Sequence, residues 1–380
     1  MESYLVNYNL TILTVAPVFI GNGKIFNKKA YLIDKESGTV KFIDVNKMYE
    51  GMQRLHKEAQ FEGYLLGNSR NRELSGFLSD QGIGPETYKK WILREIEIGD
   101  SKESSIFENN AININEFIKG PDGRPYIPGS SVKGMLRTIF ETEYYLDHPE
   151  KAEQALSNIE TADYSRDSKA LDNADRDLAV DAFHRDFYRD DKGQKKIEDI
   201  KNDMLRGLVI GDSQPLAWDN LCLCEKIDLG TEGNRNKPHV MRECLKPRVE
   251  FTVPITIDKR IYSRTANDLL ESVKKFYANY QSAFIEKFPN PPKVNGNSTT
   301  MFLGGGAGYP SKTVMYALTE GHRAHQIISR MISRKAPRAH GHSKDVSYGV
   351  SPHMLKCTRY KGKDYQMGAC CIVKCSKIEG

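Results

Sequence analysis

Lys133 and Arg137 stand one helical turn apart in "RPYIPGSSVKGMLRTIFE" (residues 124–141), just behind a Pro-Gly-Ser-Ser turn. Pro125 and Pro128 hold the approach extended, and Ser130 and Ser131 offer hydroxyls suited to a helix N-cap. Apolar residues at 132, 135, 136, 139 and 140 then repeat with helical period, so one stripe is buried and the two cations lie beside it. A helix N-terminus already presents unpaired N–H groups and partial positive charge. Two cations and the bare backbone of Gly134 added there suit an approaching phosphate. An ordinary capped helix on a domain surface is the competing reading of the same residues.

A second stretch of similar chemistry is "MFLGGGAGYPSKT" at 301–313. Gly304, Gly305, Gly306 and Gly308 permit close backbone approach, and Lys312 supplies a cation at the loop's exit. It is not a nucleotide-binding P-loop. Counting from Gly306, Ser311 stands where that motif needs glycine, and Pro310 removes an N–H. A tight turn with no ligand is the alternative. Gly21, Asn22, Gly23 and Lys24 are expected to form a further loop, ending the alternating stretch "NYNLTILTVAPVFI".

The histidines at 322, 325, 340 and 342 lack a carboxylate or cysteine pattern that would complete a metal site, and they are assigned to a basic face with Arg330, Arg334, Lys335 and Arg338. Seven cysteines without a C-x-x-C predict reduced, mostly buried thiols. Neither a metal nor a cofactor is expected.

The elements that must hold these residues alternate between strand and helix. "KAYLIDKESGTVKFID" reads as a hairpin, followed by a polar helical region to about residue 98. "LRGLVIGD", "LCLCEKIDLG" and "VEFTVPITID" are strand-like, and "TANDLLESVKKFYANYQSAFIEKF" is helical. This predicts an α+β protein of two units with antiparallel sheets and helices on one face, divided as 1–210 and 211–380. A charged helical insertion is expected at about 141–203, where eighteen acids face ten bases. Residues 330–363 carry nine Lys and Arg against Asp345 alone, a local excess larger than the chain's net +5. Such a basic pole suits a polyanion, whereas the acidic stretch suits solvent or a basic partner. The start lacks a basic segment ahead of an apolar one, and no apolar run approaches the roughly 18 residues that span a bilayer. A cytoplasmic protein without membrane contact is expected.

"YIPGSSVKGMLR" resembles the helix-initiating motif of the RAMP superfamily of CRISPR proteins, and the glycine-rich loop near the C-terminus is similar to that superfamily's other hallmark. "GDSQPL" (211–216), "MRECLKP" (241–247), "GVSPHMLKCT" (349–358) and "YQMGACCIV" resemble, more narrowly, the head-end subunit family of the type III-A Csm effector complex. The resemblance spans nearly the whole chain and implies two ferredoxin-like, RRM-related units that hold the 3′ part of a CRISPR RNA. It implies a backbone RAMP subunit and a small helical subunit as neighbours, with target RNA and host nucleases as further partners. It places Gly21, Gly23, Lys24, Gly304, Gly305, Gly306 and Lys312 along the RNA path, and Ser130, Ser131, Lys133 and Arg137 against an RNA phosphate or at the adjoining subunit's edge. To these it adds Arg242 and Lys246 of "MRECLKP", while the charge of the basic pole adds Arg334, Lys335 and Arg338. Arg248 stands where the family pattern has glycine, which predicts a different turn there. The implied role is a non-catalytic cap supporting guide maturation. The rival is a RAMP endoribonuclease, although the first histidine is His56 and Asp34 sits in a hairpin turn.

Overall fold

A computed structural model describes residues 4–107, 112–161, 169–319, 323–335 and 341–378. The alternation after Tyr4 folds as strand Leu5–Thr14, whose Leu10 and Ile12 are fully buried. This strand is the centre of a five-stranded sheet in the order Thr300–Phe302, Ala369–Lys377, Leu5–Thr14, Glu250–Asp258, Leu208–Ile210. All its pairings are antiparallel, with Leu10 opposite Val253 on one side and Cys375 on the other.

A seven-stranded sheet runs Gly21–Phe26, Asn113–Phe117, Val240–Leu245, Leu221–Glu225, Ile92–Ile98, Thr39–Ile43, Tyr31–Asp34. Only two of its pairings are parallel, Val240–Leu245 with Asn113–Phe117 and Ile92–Ile98 with Leu221–Glu225. A four-stranded sheet orders Arg235–Asn236, Ile227–Gly230, Met354–Tyr360 and Lys363–Gln366. The expected α+β class with mainly antiparallel sheets is therefore observed. Both large sheets draw strands from either side of residue 210, so the expected boundary does not fall between sheets.

Helices Gly129–Asp147 and Ala266–Ala283 pack on one another and share a hydrophobic cluster with Leu10, Ile12, Val253 and Ile255. The second begins with a capping box, in which Thr265 and Asp268 satisfy each other's backbone N–H. The region expected to be helical up to residue 98 ends earlier. Its helices Val45–Arg54, Glu58–Leu65 and Leu74–Asp80 form a separate core with Trp91, and Ile92–Ile98 is a strand.

The acidic stretch is not a solvated appendage. Its helices Pro149–Thr161 and Ala170–Phe183 place Leu156, Ile159, Leu178 and Phe183 in the main core, while Glu141, Glu143 and Asp203 are buried. The count of acids missed this because the stretch begins inside the Gly129–Asp147 helix, on its buried side. Among the described residues no helix is long and apolar enough to cross a membrane.

Candidate nucleic-acid interface

Phe19, between strands Leu5–Thr14 and Gly21–Phe26, draws three of the sequence motifs together. The Gly305 N–H donates to the Phe19 carbonyl at 2.7 Å. A Cβ on Gly304 would lie 2.1 Å from that carbonyl, one on Gly21 2.7 Å from the Phe19 ring, and one on Gly306 2.6 Å from Arg242 Nη1. Gly304 and Gly306 also hold φ of +78° and +87°, so the loop needs glycine for both space and conformation. The Arg242 guanidinium lies 5.4 Å from the Phe19 ring centroid, and burial lowers its pKa. That guanidinium has no hydrogen-bond or ion-pair partner among the described residues. A partly desolvated guanidinium on an aromatic face beside a glycine backbone is built to receive an anion such as a phosphate.

Strand alternation explains the rest of "MRECLKP". Arg242 and Cys244 face a cluster of Cys222, Cys224, Tyr360 and Met367, against which Phe19 packs. Glu243 points to the opposite face, fully buried, and accepts from Arg94 at 2.6 Å, Lys119 at 2.6 Å and the Phe117 N–H at 3.0 Å. Glu116 joins them, accepting from Lys119 at 2.8 Å and from Asn22 at 2.8 Å. Lys246 is spent on Glu97, 2.9 Å away. Arg248, against expectation, keeps the left-handed backbone that glycine would take, with φ +68°, and its N–H donates to the Thr14 carbonyl at 2.7 Å. All seven cysteines are free thiols and all but Cys375 are buried, as expected.

Other expected site residues are not assembled into this place. Gly23 and Lys24 follow Gly21 along an edge strand, Gly21–Phe26, rather than in a turn, because its ends pair with Asn113–Phe117 around an irregularity between Gly21 and Ile25. The helix after the Ser-Ser pair starts at Gly129 with Pro128 as its N-cap, so Ser130 and Ser131 lie inside its first turn and cap nothing. Asp212 of "GDSQPL" accepts from the Gly129 N–H at 2.8 Å, which puts a carboxylate of the chain itself where a phosphate was expected. Lys133 donates to the Leu205 carbonyl at 2.8 Å, and Arg137 pairs with Asp203 at 2.8 Å over the Phe183 ring. These cations latch the 203–205 segment to the helix.

The basic pole is also less bare than its sequence. Lys356 pairs with Asp228 at 2.8 Å, Arg359 with Asp100 at 2.7 Å and Lys361 with Glu97 at 3.2 Å. A linear count cannot see acids that the fold brings from other strands. Arg338, His322 and His340 lie outside the described residues, as do the side chains of Arg334 and Lys335. His342 does not join a basic surface: it and His353 both engage the buried Asp345 carboxylate through Nδ1. The donor atoms of these three lie within 4.8 Å of one another, a grouping hidden from helical spacing because His353 arrives beyond a turn. The Ser351 hydroxyl donates to the same carboxylate, leaving it satisfied within the chain. Phe19 was the other residue missed, since nothing in its own surroundings in the sequence marks it as a hub.

The RAMP superfamily profile matches residues 11–297. The chain is 28% identical over 340 residues to the "CRISPR system Cms protein Csm5" of Streptococcus thermophilus, covering 86% of this chain and 84% of that one. It is 27% identical over 391 residues to the protein of the same description from Mycobacterium tuberculosis H37Rv, covering 97% and 98%. In fold it is similar to a chain in the cryo-EM structure of a Csm-crRNA-target RNA ternary complex from a type III-A CRISPR-Cas system, with TM-score 0.66, 19% identity and coverage of 96% and 100%. The crystal structure of T. onnurineus Csm5 is similar at TM-score 0.61 and 17% identity, again covering 96% and 100%.

Proposed function

The chain belongs to the RAMP superfamily, and from that premise we propose that it is the head-end, guide-RNA-binding subunit of a type III-A Csm complex, with no active site of its own. Relatives described as Csm5 align along nearly the full length of both chains, which supports the subunit assignment. The observation that carries RNA binding is Arg242, an anion-seeking side chain with no hydrogen-bond or ion-pair partner among the described residues, set over Phe19 and against Gly306. Contacts of this kind grip a backbone without reading bases, as a subunit that must accept every guide requires. In this reading the chain holds the 3′ part of the CRISPR RNA next to a backbone RAMP subunit and the small helical subunit, and lies near target RNA. Host nucleases trim the guide end that it leaves exposed. The division into RAMP units 1–210 and 211–380 belongs to the same proposal, with each unit lending strands to both large sheets.

The test is RNA binding by the purified chain. Affinity for unrelated single strands should be similar and fall with salt, and Arg242→Ala should reduce the slope of log K against log salt by about 0.7, one phosphate's share on a single strand. An unchanged slope and affinity would place the RNA elsewhere. The rival, a ribonuclease, needs a reachable general base. His342 and His353, each 9% exposed and occupied with Asp345, do not supply one, so it would have to come from an exposed histidine such as His56, His148 or His239. Site-specific cutting of labelled repeat-spacer RNA by rigorously repurified protein, with or without divalent metal, would replace the cap reading by that one.

A further inference from the structure

Three side chains spread over "HSKDVSYGVSPH" (residues 342–353) meet at one carboxylate. His342 and Asp345 stand three residues apart across the tight turn His342–Lys344 and the short helix Asp345–Tyr348. Gly349, at φ +68°, ends that helix in the left-handed region, and the chain returns through Ser351 so that His353 arrives immediately before strand Met354–Tyr360. One imidazole thereby meets each carboxylate oxygen: His342 Nδ1 lies 3.0 Å from Oδ2, and His353 Nδ1 contacts Oδ1. Asp345 has no exposed surface, and among the described residues no lysine or arginine pairs with it. Ser351 and the two rings satisfy its oxygens with hydrogen bonds, yet none of them brings a fixed positive charge, which a buried carboxylate needs.

We propose that His342 Nδ1, His353 Nδ1 and the Asp345 carboxylate form a binding site for one zinc ion. Two imidazole nitrogens and a carboxylate suit a divalent transition metal and poorly suit magnesium or calcium, which take oxygen ligands. Zinc–ligand bonds of ~2.0–2.2 Å put tetrahedral ligand atoms roughly 3.3–3.6 Å apart. The His342 pair at 3.0 Å is just inside that spacing, the three ligand atoms all lie within 4.8 Å of one another, and a slight withdrawal of the His353 ring admits the ion. The ion then replaces the protons that otherwise join the rings to the carboxylate. Ser351, donating to Oδ2, orients the carboxylate, and Ser329, donating to the His342 carbonyl at 2.7 Å, fixes the backbone of the first ligand. Both rings keep a little exposed area, so the ion enters past them, and water completes the coordination. The role is structural. The ion ties the 342–345 turn to the start of strand Met354–Tyr360, whose Lys356 lies against the glycine-rich loop, where a Cβ on Gly308 would fall 2.9 Å from Lys356 Cγ.

Full-length protein stripped with a chelator and returned to chelator-free buffer tests the site. Calorimetric titration with zinc chloride should show one ion per chain, and the melting temperature should rise with zinc concentration but not with magnesium. Ser351→Ala, which leaves all three ligands in place, should weaken zinc binding about tenfold, the lower end of what losing a ligand-orienting partner costs. His353→Ala should abolish both the stoichiometric binding and the zinc-dependent rise in melting temperature. Should that variant fail to fold, the parent's stoichiometry and the Ser351→Ala weakening decide the matter. Cobalt(II) in place of zinc separates this site from the buried thiols of Cys222, Cys224 and Cys244. Nitrogen and oxygen ligands give visible bands alone, whereas thiolates add a strong sulfur-to-cobalt charge-transfer band in the near ultraviolet. No stoichiometric zinc uptake, that charge-transfer band, or an affinity unchanged in either variant would overturn the proposal. A negative result leaves an imidazolium as the source of positive charge at Asp345. None of these readouts involves RNA, so the site stands or falls separately from the capping role.

Discussion

Arg248 shows how a single residue can work against its own backbone. With a Cβ at φ +68° it occupies the left-handed region at a cost that glycine would not incur. Arg248→Gly should therefore raise stability by about 1 kcal/mol, read as a higher denaturant midpoint with unchanged m-value. An unchanged or lower midpoint would show that the arginine side chain contributes more than the strain removes. Glu141 makes a prediction of opposite chemical kind. Its carboxyl rises from the ordinary 4.5 to about 8, so the folded chain holds this proton more tightly than the unfolded chain. Its contribution is favourable below that ordinary value and is lost as pH rises toward about 8. Glu141→Gln should flatten this part of the stability profile and leave the variant more stable than the parent at the alkaline end. Parallel melting profiles for the two proteins across that window would refute the assignment.

At the scale of elements, strand Val240–Leu245 does most to join scaffold and site. One face delivers Arg242 to the glycine-rich loop, while the other buries Glu243 between Arg94 and Lys119. Glu243→Ala would leave two buried cations facing Glu116 alone and should cost about 3–5 kcal/mol, measurable by chemical denaturation. A loss below about 1 kcal/mol would mean that the network relaxes or hydrates without penalty. The same strand shows what the sequence could reveal. Its alternation, the glycine loop and the oddity of "MRECLKP" were visible locally, and the structure unites Gly21, Arg242, Gly304, Gly305 and Gly306 as one place around Phe19. The partners of Lys133, Arg137 and Lys246 were not visible, because each lies on a segment distant in sequence. Cations at a helix start look alike whether they await a phosphate or already hold a carbonyl and a carboxylate. The Gly21–Phe26 segment read as a turn for a similar reason, since glycine marks both a turn and an irregular edge strand.

At the scale of the whole molecule, the proposed head-end role requires a chain that continues the RNA path on one side and refuses a further backbone subunit on the other. Complexes purified without this chain should keep their target-recognition core but carry guides with ragged 3′ ends, which sequencing of the bound RNA would reveal. Identical end distributions and stoichiometry in both preparations would show that the chain neither caps nor assists maturation. The placement of strand Leu5–Thr14 bears on how much folded protein a cell obtains. Its two hydrogen-bonded neighbours are Glu250–Asp258 and Ala369–Lys377, the latter at the far end of the described chain. A ribosome adding roughly 5–20 residues per second leaves that first strand without its last neighbour for tens of seconds. An interrupted nascent chain cannot complete the five-stranded sheet and offers its apolar strands to proteases. Translation is thereby coupled to folding, since a message cut short yields no partly folded copy that could stand in for the whole chain.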